Sequence, residues 1–285
     1  MMLPIEQHWQ VETVAVPTCD WSGCFYYESN YRYIANPIWW TGIQPGFGPG
    51  VLQGRLTGSD PFYNQACTGF IYNKTLTRLT FTTPDGTEFD LRDSQTNGQP
   101  LQGGGCTGGA SRGKVFVTSD GSAATFVSDA DIYDDRQPHS PNVFYPSGFL
   151  MMRDGTRYRV DNGRVSWIRD TNGNKVSFTY SNGVLTGIDD PLSRHIDVSG
   201  GVLSFKGANG ATRTIKVYSD ALHTALRKYP DGSTEFTIKT FAQLFPNLQN
   251  PQQGNFDIAV TTAVELPDGR LYQFRYDSYA NLAQV

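Results

Sequence analysis

The sequence predicts an all-β fold: an N-terminal, hairpin-rich β domain followed by stacked β-hairpins that form a curved or spiral sheet. The composition favours turns, because 30 glycines and 16 prolines make 46 of the 285 residues, about 16% against a usual level of about 12%. Aromatic residues reach 13%, while charged residues reach only 18%, below the usual quarter. This composition excludes a coiled coil, a helical bundle and a disordered acidic tail.

Ten of the 30 glycines directly follow an asparagine or an aspartate. Asn-Gly and Asp-Gly between alternating runs are the strongest short-range signal for a β-hairpin, because both central residues of a type I′ turn need a positive φ. The sequence therefore predicts a chain built mainly of hairpins. The ten glycines are Gly86, Gly98, Gly121, Gly155, Gly163, Gly173, Gly183, Gly210, Gly232 and Gly269.

Residues 1–145 are predicted to form one aromatic-rich β domain. Its most unusual segment is Trp21–Trp40, which holds eight aromatic side chains in twenty residues. These side chains either close a core beneath a loop-rich cap or form a stacking platform for sugars. Trp21, Trp39 and Trp40 are the candidate contacts to a glycan or a partner.

All four cysteines lie in the first domain, at Cys19, Cys24, Cys67 and Cys106. The spacing of the first two is too wide for a redox Cys-x-x-Cys pair, and no histidine completes a usual zinc spacing. Two disulfides are therefore expected, with three connectivities open and Cys19–Cys24 plus Cys67–Cys106 favoured; buried free thiols are the alternative.

The location of the protein follows from the same cysteines. Residues 1–6 lack the basic region and apolar stretch of a signal peptide, so the protein is either cytoplasmic or exported by a signal outside this sequence. Because disulfides persist in oxidising compartments, an extracellular or cell-surface location is favoured.

A loop over residues 128–142 marks the domain boundary, with four aspartates and two prolines. The Asp129-x-Asp131 pair has the ligand type for calcium, but the loop lacks the glycine and the twelfth-position glutamate of an EF-hand. Ordinary turn carboxylates are therefore favoured. Residues 146–285 form the second predicted domain, in which short alternating strands are separated by turn residues.

An internal repeat runs through the second domain. The segment 163–170 aligns with 183–190 as Gly-x-(aliphatic)-x-x-Ile-x-Asp, each position shifted by twenty residues. A strand of five or six residues plus a turn takes about ten, so twenty residues correspond to one hairpin. The matched residues are Gly163, Ile168 and Asp170 in one copy and Gly183, Ile188 and Asp190 in the other.

These residues, with the tyrosines beside them, resemble the RHS/YD-repeat family, which includes bacterial RHS proteins, shell components of toxin complexes and teneurins. The resemblance covers roughly residues 148–285, with Ser193 and Ala280 standing where the family has glycine. It implies a β-sheet spiral that forms part of a hollow shell. The residues that carry it are Tyr158, Asp161, Gly163, Ile168, Asp170, Tyr180, Gly183, Ile188, Asp190, Tyr276 and Asp277.

The repeat also predicts self-assembly. Val285 occupies the position of Ile168 and Ile188, so the sequence stops inside a repeat. Either the sequence is truncated, or its unfinished sheet pairs with another copy. Because an unpaired edge strand is a template for strand addition, a homo-oligomer or a filament is expected.

Charge and composition exclude several partners. The net charge of −4 and the pI near 5.5 give no basic surface for nucleic acid. No apolar run approaches the roughly 18 residues that a membrane span needs. The densest group of arginines, over residues 153–169, is interleaved with aspartates, which predicts a solvated strand face.

The sequence predicts no enzyme, metal or cofactor site. None of the four histidines has a second ligand at metal-binding spacing, no nucleophile elbow is present, and most acidic residues sit in turn positions. We therefore expect a non-enzymatic structural or surface protein that provides a β-sheet scaffold for encapsulation, adhesion or self-assembly. The alternatives are a carbohydrate-binding module using the Trp21–Trp40 cluster and a hydrolase with two carboxylates facing each other in a cleft.

Overall fold

The computed structural model describes a protein built almost entirely of β-strands. Its two helices, α1 (Leu222–Ala225) and α2 (Phe241–Leu244), have four residues each, and the all-β prediction is confirmed. No helix in the described parts of the chain is both long and apolar enough to cross a membrane. The described residues are 10–20, 23–34, 49–58, 62–64, 69–71, 74–83, 87–99, 109–134, 143–244, 246 and 254–285.

Within these residues the chain forms twenty-two strands. The first eleven are β1 (Gln10–Asp20), β2 (Gly23–Ile34), β3 (Val51–Gly58), β4 (Phe62–Asn64), β5 (Gly69–Ile71), β6 (Lys74–Thr82), β7 (Glu88–Asp93), β8 (Ser111–Thr118), β9 (Thr125–Tyr133), β10 (Val143–Phe144) and β11 (Gly148–Met151). The others are β12 (Arg157–Asp161), β13 (Arg164–Arg169), β14 (Lys175–Ser181), β15 (Val184–Asp189), β16 (His195–Ser199), β17 (Val202–Lys206), β18 (Thr212–Ala221), β19 (Ala259–Glu265), β20 (Leu271–Gln273), β21 (Arg275–Tyr276) and β22 (Leu282–Gln284).

Eight antiparallel strands close into a barrel. In spatial order they are β3, β6, β7, β8, β9, β11, β12 and β13, and β13 pairs again with β3. At the closing contact Arg164 lies opposite Val51, and the Leu52 N–H donates a hydrogen bond of 2.8 Å to the Gly163 carbonyl. The curved or spiral sheet predicted for residues 146–285 is therefore wrong for β11, β12 and β13, which belong to the closed barrel. The hairpin β12–β13 returns to β3, and this closure removes two exposed sheet edges.

The barrel is filled by the inward-facing side chains of its strands. An eight-stranded barrel has an interior just wide enough for side chains to fill. Each fully buried Leu, Val or Phe contributes about 1.5–3 kcal/mol. Large apolar side chains that are exposed by 1% or less include Leu52, Leu76, Leu79, Phe81, Leu91, Phe116, Phe126, Leu150, Val160 and Val165.

A fully buried arginine, Arg112 at the start of β8, ties neighbouring strands together. Its Nε and Nη2 donate to the two carboxylate oxygens of Asp134, at 2.9 and 2.8 Å. One of these oxygens also accepts the Leu76 N–H of β6 at 2.8 Å. Because Asp134 directly follows β9, the pair links β6, β8 and β9.

The same guanidinium contacts a second buried carboxylate, Asp93 at the end of β7. Nη1 of Arg112 lies 3.4 Å from Asp93 Oδ2 and donates to Thr96 Oγ1 at 2.8 Å. Burial alone would raise the pKa of Asp93, but the N–H groups of Thr96 and Gly98 donate to it, and with Arg112 they hold this pKa below its usual value. The one guanidinium and these N–H groups together stabilise the two buried carboxylates, Asp93 and Asp134.

Beyond the barrel the sheet continues as an open sheet. The second edge of β13 is shared, since Arg164 pairs with β3 while residues 167–169 pair with β14. From there β14 to β20 follow in chain order. One face of this open sheet buries Leu185, Ile188 and Val198, and the far end is covered by the core around α1 and α2.

The remaining strands form small pairings. The two residues of β10 pair with β3, and β1–β2, β4–β5 and β21–β22 are separate two-stranded hairpins. The barrel takes strands from both sides of residue 146.

Removing Arg112 tests the buried charge network. We expect Arg112→Ala to lower the free energy of unfolding by about 3–5 kcal/mol, because Asp93 and Asp134 stay buried without their cation. The matched control is Arg78→Ala, since Arg78 pairs with Asp90 at the surface, each side chain 43% exposed; its loss costs about 0–1 kcal/mol. Urea unfolding followed by circular dichroism measures both, and equal losses would contradict the assignment.

Candidate functional site

The two repeat copies seen in the sequence are two hairpins of the same irregular geometry. In β12–β13, Arg159 lies opposite Trp167 and Val160 opposite Val165, so the extra residue Ser166 forms a β-bulge. In β14–β15, Thr179 lies opposite Gly187 and Tyr180 opposite Leu185, which leaves Thr186 as the extra residue. The bulge increases the local twist of both hairpins.

A hydroxyl group lies at each bulge. Ser166 Oγ donates to Asp161 Oδ2 at 2.6 Å and lies 3.4 Å from the Arg159 carbonyl oxygen, and Thr186 Oγ1 donates to the Thr179 carbonyl at 3.2 Å. A third bulged hairpin is formed by β18 and β19, in which Thr262 Oγ1 donates to the Tyr218 carbonyl at 3.3 Å. Sequence reasoning missed this third copy, because β18 and β19 are separated by residues 222–258.

The tyrosines of the motif occupy two kinds of position. The hydroxyls of Tyr180 and Tyr276 donate to the carbonyls of Val165 and Thr261, at 2.8 and 2.6 Å. Burial raises the pKa of both phenols, so they remain neutral donors. Tyr158 instead lies in the barrel core, with its ring 5.2 Å from that of Phe81.

The strand register explains why Tyr158 and Tyr180 occupy different kinds of position. Tyr158 lies opposite Ile168, as Phe178 lies opposite Ile188. Tyr158 is therefore equivalent to Phe178 rather than to Tyr180.

Three of the four aspartates of the motif, Asp170, Asp190 and Asp277, hold five-residue turns. Oδ1 of Asp170 accepts the N–H groups of Asn172 and Asn174, both at 2.9 Å. Asp190 and Asp277 accept the N–H groups two and four residues ahead in the same way. A side-chain hydrogen bond from Asn174 lowers the pKa of Asp170, and one from Arg194 lowers that of Asp190. These carboxylates are occupied by their own turns.

The fourth residue of each such turn has a positive φ. It is 91° at Gly173, and 61° at both Ser193 and Ala280, the two residues that depart from the family's glycine. The backbone thus keeps the left-handed conformation without glycine, at a cost of roughly 1–2 kcal/mol per residue.

The turn type predicted for the Asn-Gly and Asp-Gly pairs is wrong at six of the nine pairs that the structure describes. Both residues have positive φ at Asn97–Gly98, Asn162–Gly163 and Asn182–Gly183, as a type I′ turn requires. At Asp120–Gly121 neither residue has a positive φ. At five other pairs only the glycine does, because an extra residue makes a longer loop that ends in a left-handed glycine. Those glycines are Gly155, Gly173, Gly210, Gly232 and Gly269.

The remaining predicted residues lie at the beginning of the chain. The backbone register of β1 and β2 places Cys19 directly opposite Cys24. Cys67, Cys106, Trp21, Trp39 and Trp40 fall outside the described residues. The disulfides and the aromatic sugar platform therefore stay predictions.

The first candidate site is the outer edge of β20. Phe274 N–H donates to the Thr262 carbonyl and Leu266 N–H to the Arg270 carbonyl, so the even-numbered residues of this strand face β19. By the alternation of an antiparallel ladder, the N–H and C=O groups of Leu271 and Gln273 point away from β19. Arg275, which has the same outward orientation, pairs with β22.

The edge also presents apolar side chains. Leu271 is 50% exposed and Tyr272 45%. Neighbouring side chains on a strand point to opposite faces of a sheet, so each face of the edge carries one of them. In the part of the chain that the structure describes, no strand covers the backbone of Leu271 and Gln273.

The second candidate site is a row of cations on the outer face of the barrel and the first open strand. Arg157 of β12 lies opposite Arg169 of β13, which lies opposite Lys175 of β14. Among the described residues none of the three forms an ion pair, and we call them the cationic row. Like charges directly opposite each other on neighbouring strands destabilise a sheet.

Two aromatic residues lie beside the cationic row. Trp167 has the Arg169 guanidinium 5.8 Å and the Lys175 Nζ 5.9 Å from its ring centroid. Its ring centroid is 6.0 Å from that of Phe149, which is 42% exposed. We call Phe149 and Trp167 the aromatic pair.

The aspartates interleaved with these arginines make no ion pair with the cationic row. Asp161 accepts from Arg159 Nε at 2.8 Å, and Asp170 holds its own turn. Asp154 accepts the Thr156 N–H and hydroxyl. The solvated face predicted from the sequence is therefore a surface with three adjacent cations.

Other polar groups are engaged with one another. His195 Nδ1 lies 2.7 Å from Asp189 Oδ1, and its Nε2 lies 3.3 Å from Asp197 Oδ1. The hydrogen bond with Asp189 raises the pKa of His195, and both ring nitrogens lie beside carboxylate oxygens. Within the described residues no cluster of three metal-ligating side chains occurs.

A groove of about 440 Å³ lies between the second half of β9 and β10. Leu56, Ile132 and Phe144 line its apolar wall. Of the two aspartates that line it, Asp129 and Asp131, Asp129 is already paired with both terminal nitrogens of Arg159.

Comparison with protein-family models and with curated proteins found no match to this chain.

Replacing Arg157 tests whether the cationic row carries repulsion. We expect Arg157→Thr to raise the free energy of unfolding by roughly 0.2–1 kcal/mol, because one like-charge contact is removed while both cations over Trp167 remain. The control is Lys206→Thr on β17, whose cross-strand neighbour is the neutral Thr212. Urea unfolding at low ionic strength measures both variants. A loss of stability in Arg157→Thr, or an equal gain in both, would show that the row is not strained.

Proposed function

We propose that this protein is a non-enzymatic structural scaffold of the RHS/YD-repeat type, which assembles by adding a strand at the outer edge of β20. The observation that carries the proposal is the outward-facing backbone of Leu271 and Gln273 on a sheet that already extends through β14 to β20. On this proposal the protein acts at the cell surface or outside the cell, where the disulfides expected from the sequence would persist.

The order in which the strands pair supports strand addition. From β14 to β20 each strand pairs with the one before it, and three antiparallel strand pairs, β12–β13, β14–β15 and β18–β19, share the same bulge. A further strand at β20 would extend the same ladder. Its main-chain hydrogen bonds would supply affinity, while Leu271 and Tyr272 would contact its side chains on either face.

On this proposal the protein acts through the pairing of β-strands and not through catalysis. The aspartates of the repeat hold turns, and the buried Arg112 network is satisfied by its own strands. These arrangements stabilise the β-sheet. The barrel then provides a closed, rigid start from which the open sheet extends.

A proline at the outer edge tests strand addition. We expect Gln273→Pro to weaken self-association at least about tenfold, which corresponds to about 1.4 kcal/mol, because proline removes an outward N–H and blocks the approach of another strand. Proline is tolerated where the N–H faces solvent on an edge strand, so the fold should persist. Sedimentation equilibrium over a wide concentration range measures the effect.

The matched control is Gln273→Thr, which keeps the N–H and should associate like the unmodified protein. Negative-stain electron microscopy shows whether the assemblies are discrete oligomers or filaments. A protein that stays monomeric at high concentration, or a proline variant that associates as strongly as the threonine variant, would refute the proposal.

A further inference from the structure

We propose that the strand added at β20 is the second half of β9 in another copy of this chain. The edge formed by Leu271 and Gln273 in one copy would pair with Asp131 and Tyr133 in the next. The groove beside β9 would take the side chain of Tyr272. This inference rests on the proposed strand addition at β20 and names the partner of that edge.

The second half of β9 is not paired with β11. The register between β9 and β11 ends at Ser128, and the Asp129 N–H donates a hydrogen bond of 2.9 Å to the Ser147 carbonyl just beyond it. The chain before β11 runs elsewhere, since β10 pairs with β3. This divergence leaves the groove of about 440 Å³ between β9 and β10.

The backbone of β9 presents free hydrogen-bonding groups beside this groove. The Asp134 N–H donates to the Ala110 carbonyl, next to β8. By the alternation of an antiparallel ladder, the N–H and C=O groups of Tyr133 and Asp131 therefore point away from β8. Among the described strands none pairs with these two residues on that side. The protein thus has a second sheet edge that can accept a strand.

The two edges match in length and direction. The pairings of β9 and of β19 in the large sheet are antiparallel, and an antiparallel contact is expected here too. The antiparallel register that uses all four outward-facing residues places Leu271 opposite Tyr133 and Gln273 opposite Asp131. Tyr272 then lies opposite Ile132. Residues that lie opposite each other share one face of the sheet.

This register brings together apolar side chains that are now exposed. Ile132 belongs to the barrel core and lines the groove with Leu56 and Phe144. Tyr272, which is 45% exposed, would enter the groove against them. On the other face Leu271, 50% exposed, would cover Tyr133, 55% exposed. Both faces of the contact would therefore bury apolar surface.

The charges beside the two edges are also complementary. Asp131 lines the groove, and Arg275 directly follows the free part of β20. Neither forms an ion pair with another described residue. In the proposed register Arg275 lies diagonally across from Asp131, at the roughly 7–8 Å that long side chains can bridge. The contact would give both charges a partner.

The symmetry of the contact predicts the kind of assembly. The edge of β20 and the edge of β9 are different surfaces of one chain, so the contact is heterologous. Such contacts repeat from copy to copy and produce a ring or an open filament. Pairing of β20 with β20 of a second copy would be isologous and would end at a dimer.

Mixing two complementary variants tests the contact. Gln273→Pro blocks the edge of β20 and keeps that of β9, whereas Asp131→Pro blocks the edge of β9 and keeps that of β20. Each variant alone should self-associate at least about tenfold more weakly than the unmodified protein. An equimolar mixture should form a dimer with one copy of each variant, no larger assembly, and an affinity within about threefold of the unmodified contact. Sedimentation equilibrium measures all four samples.

A charge reversal tests the same contact without proline. Asp131→Lys keeps the outward N–H but opposes Arg275, and it should weaken self-association severalfold. The matched control is Glu88→Lys, which makes the same change of charge at an exposed residue. Glu88 lies opposite Thr82, which lies opposite Val51, at the other end of the barrel from Leu56. The control should change association less than about twofold.

Folding is checked before affinities are compared. Asp131 is exposed and its backbone faces away from β8, so proline there should leave the barrel folded. Circular dichroism and the melting temperature measure this for each variant. If Asp131→Pro is unfolded, Asp131→Lys takes its place in the mixture.

The outcomes separate this inference from the proposed function. If Gln273→Pro weakens association while both Asp131 variants associate like the unmodified protein, strand addition at β20 stands and β9 is not its partner. Folded variants that are monomeric alone and form no mixed dimer would also overturn the inference. If neither proline variant weakens association, both proposals fail.

Discussion

The hydrogen bond from the Leu52 N–H to the Gly163 carbonyl is the contact on which the architecture depends. It joins the first strand of the barrel to the last, and without it the eight strands would have two free edges. The Gly163 backbone is in close contact with β3: a Cβ at this position would lie 2.6 Å from the Leu52 carbonyl oxygen and 2.5 Å from the Tyr145 ring. The glycine is thus required both by the turn, where its φ is 77°, and by the closure.

The closure also determines where the open sheet begins. Only the start of β13 pairs with β3, so its remaining edge is left for β14. The bulge at Ser166 lies between these two segments and increases the twist. The strand β13 therefore belongs both to the closed barrel and to the open sheet. The cationic row spans this junction, since Arg157 and Arg169 are on barrel strands and Lys175 is on β14, the first strand of the open sheet.

Local features of the fold could be predicted from the sequence. The turns at Gly163 and Gly183, the hairpins around them and the twenty-residue period depend on neighbouring residues, and their signals are strong. The third bulged hairpin has no such signal because 37 residues separate its strands. The barrel closure joins residues more than 100 positions apart, and no local pattern indicates that pairing.

The cationic row could not be predicted from the sequence for a related reason. Arg157, Arg169 and Lys175 appear in the sequence among aspartates, and this interleaving predicts a solvated face. The register decides which charges are neighbours, and a shift of one residue in pairing would move every side chain to the other face. The turns then occupy the carboxylates of Asp154 and Asp170. Neither fact can be read from residue spacing alone.

Hydrogen exchange at the Leu52 amide tests the barrel closure most directly. If β3 and β13 are joined, this N–H should exchange as slowly as the amides of β8 and β9, because all of them open only when the barrel unfolds. Exchange of Leu52 at the rate of an exposed turn amide, while β8 and β9 stay protected, would show an open sheet and contradict the closed barrel.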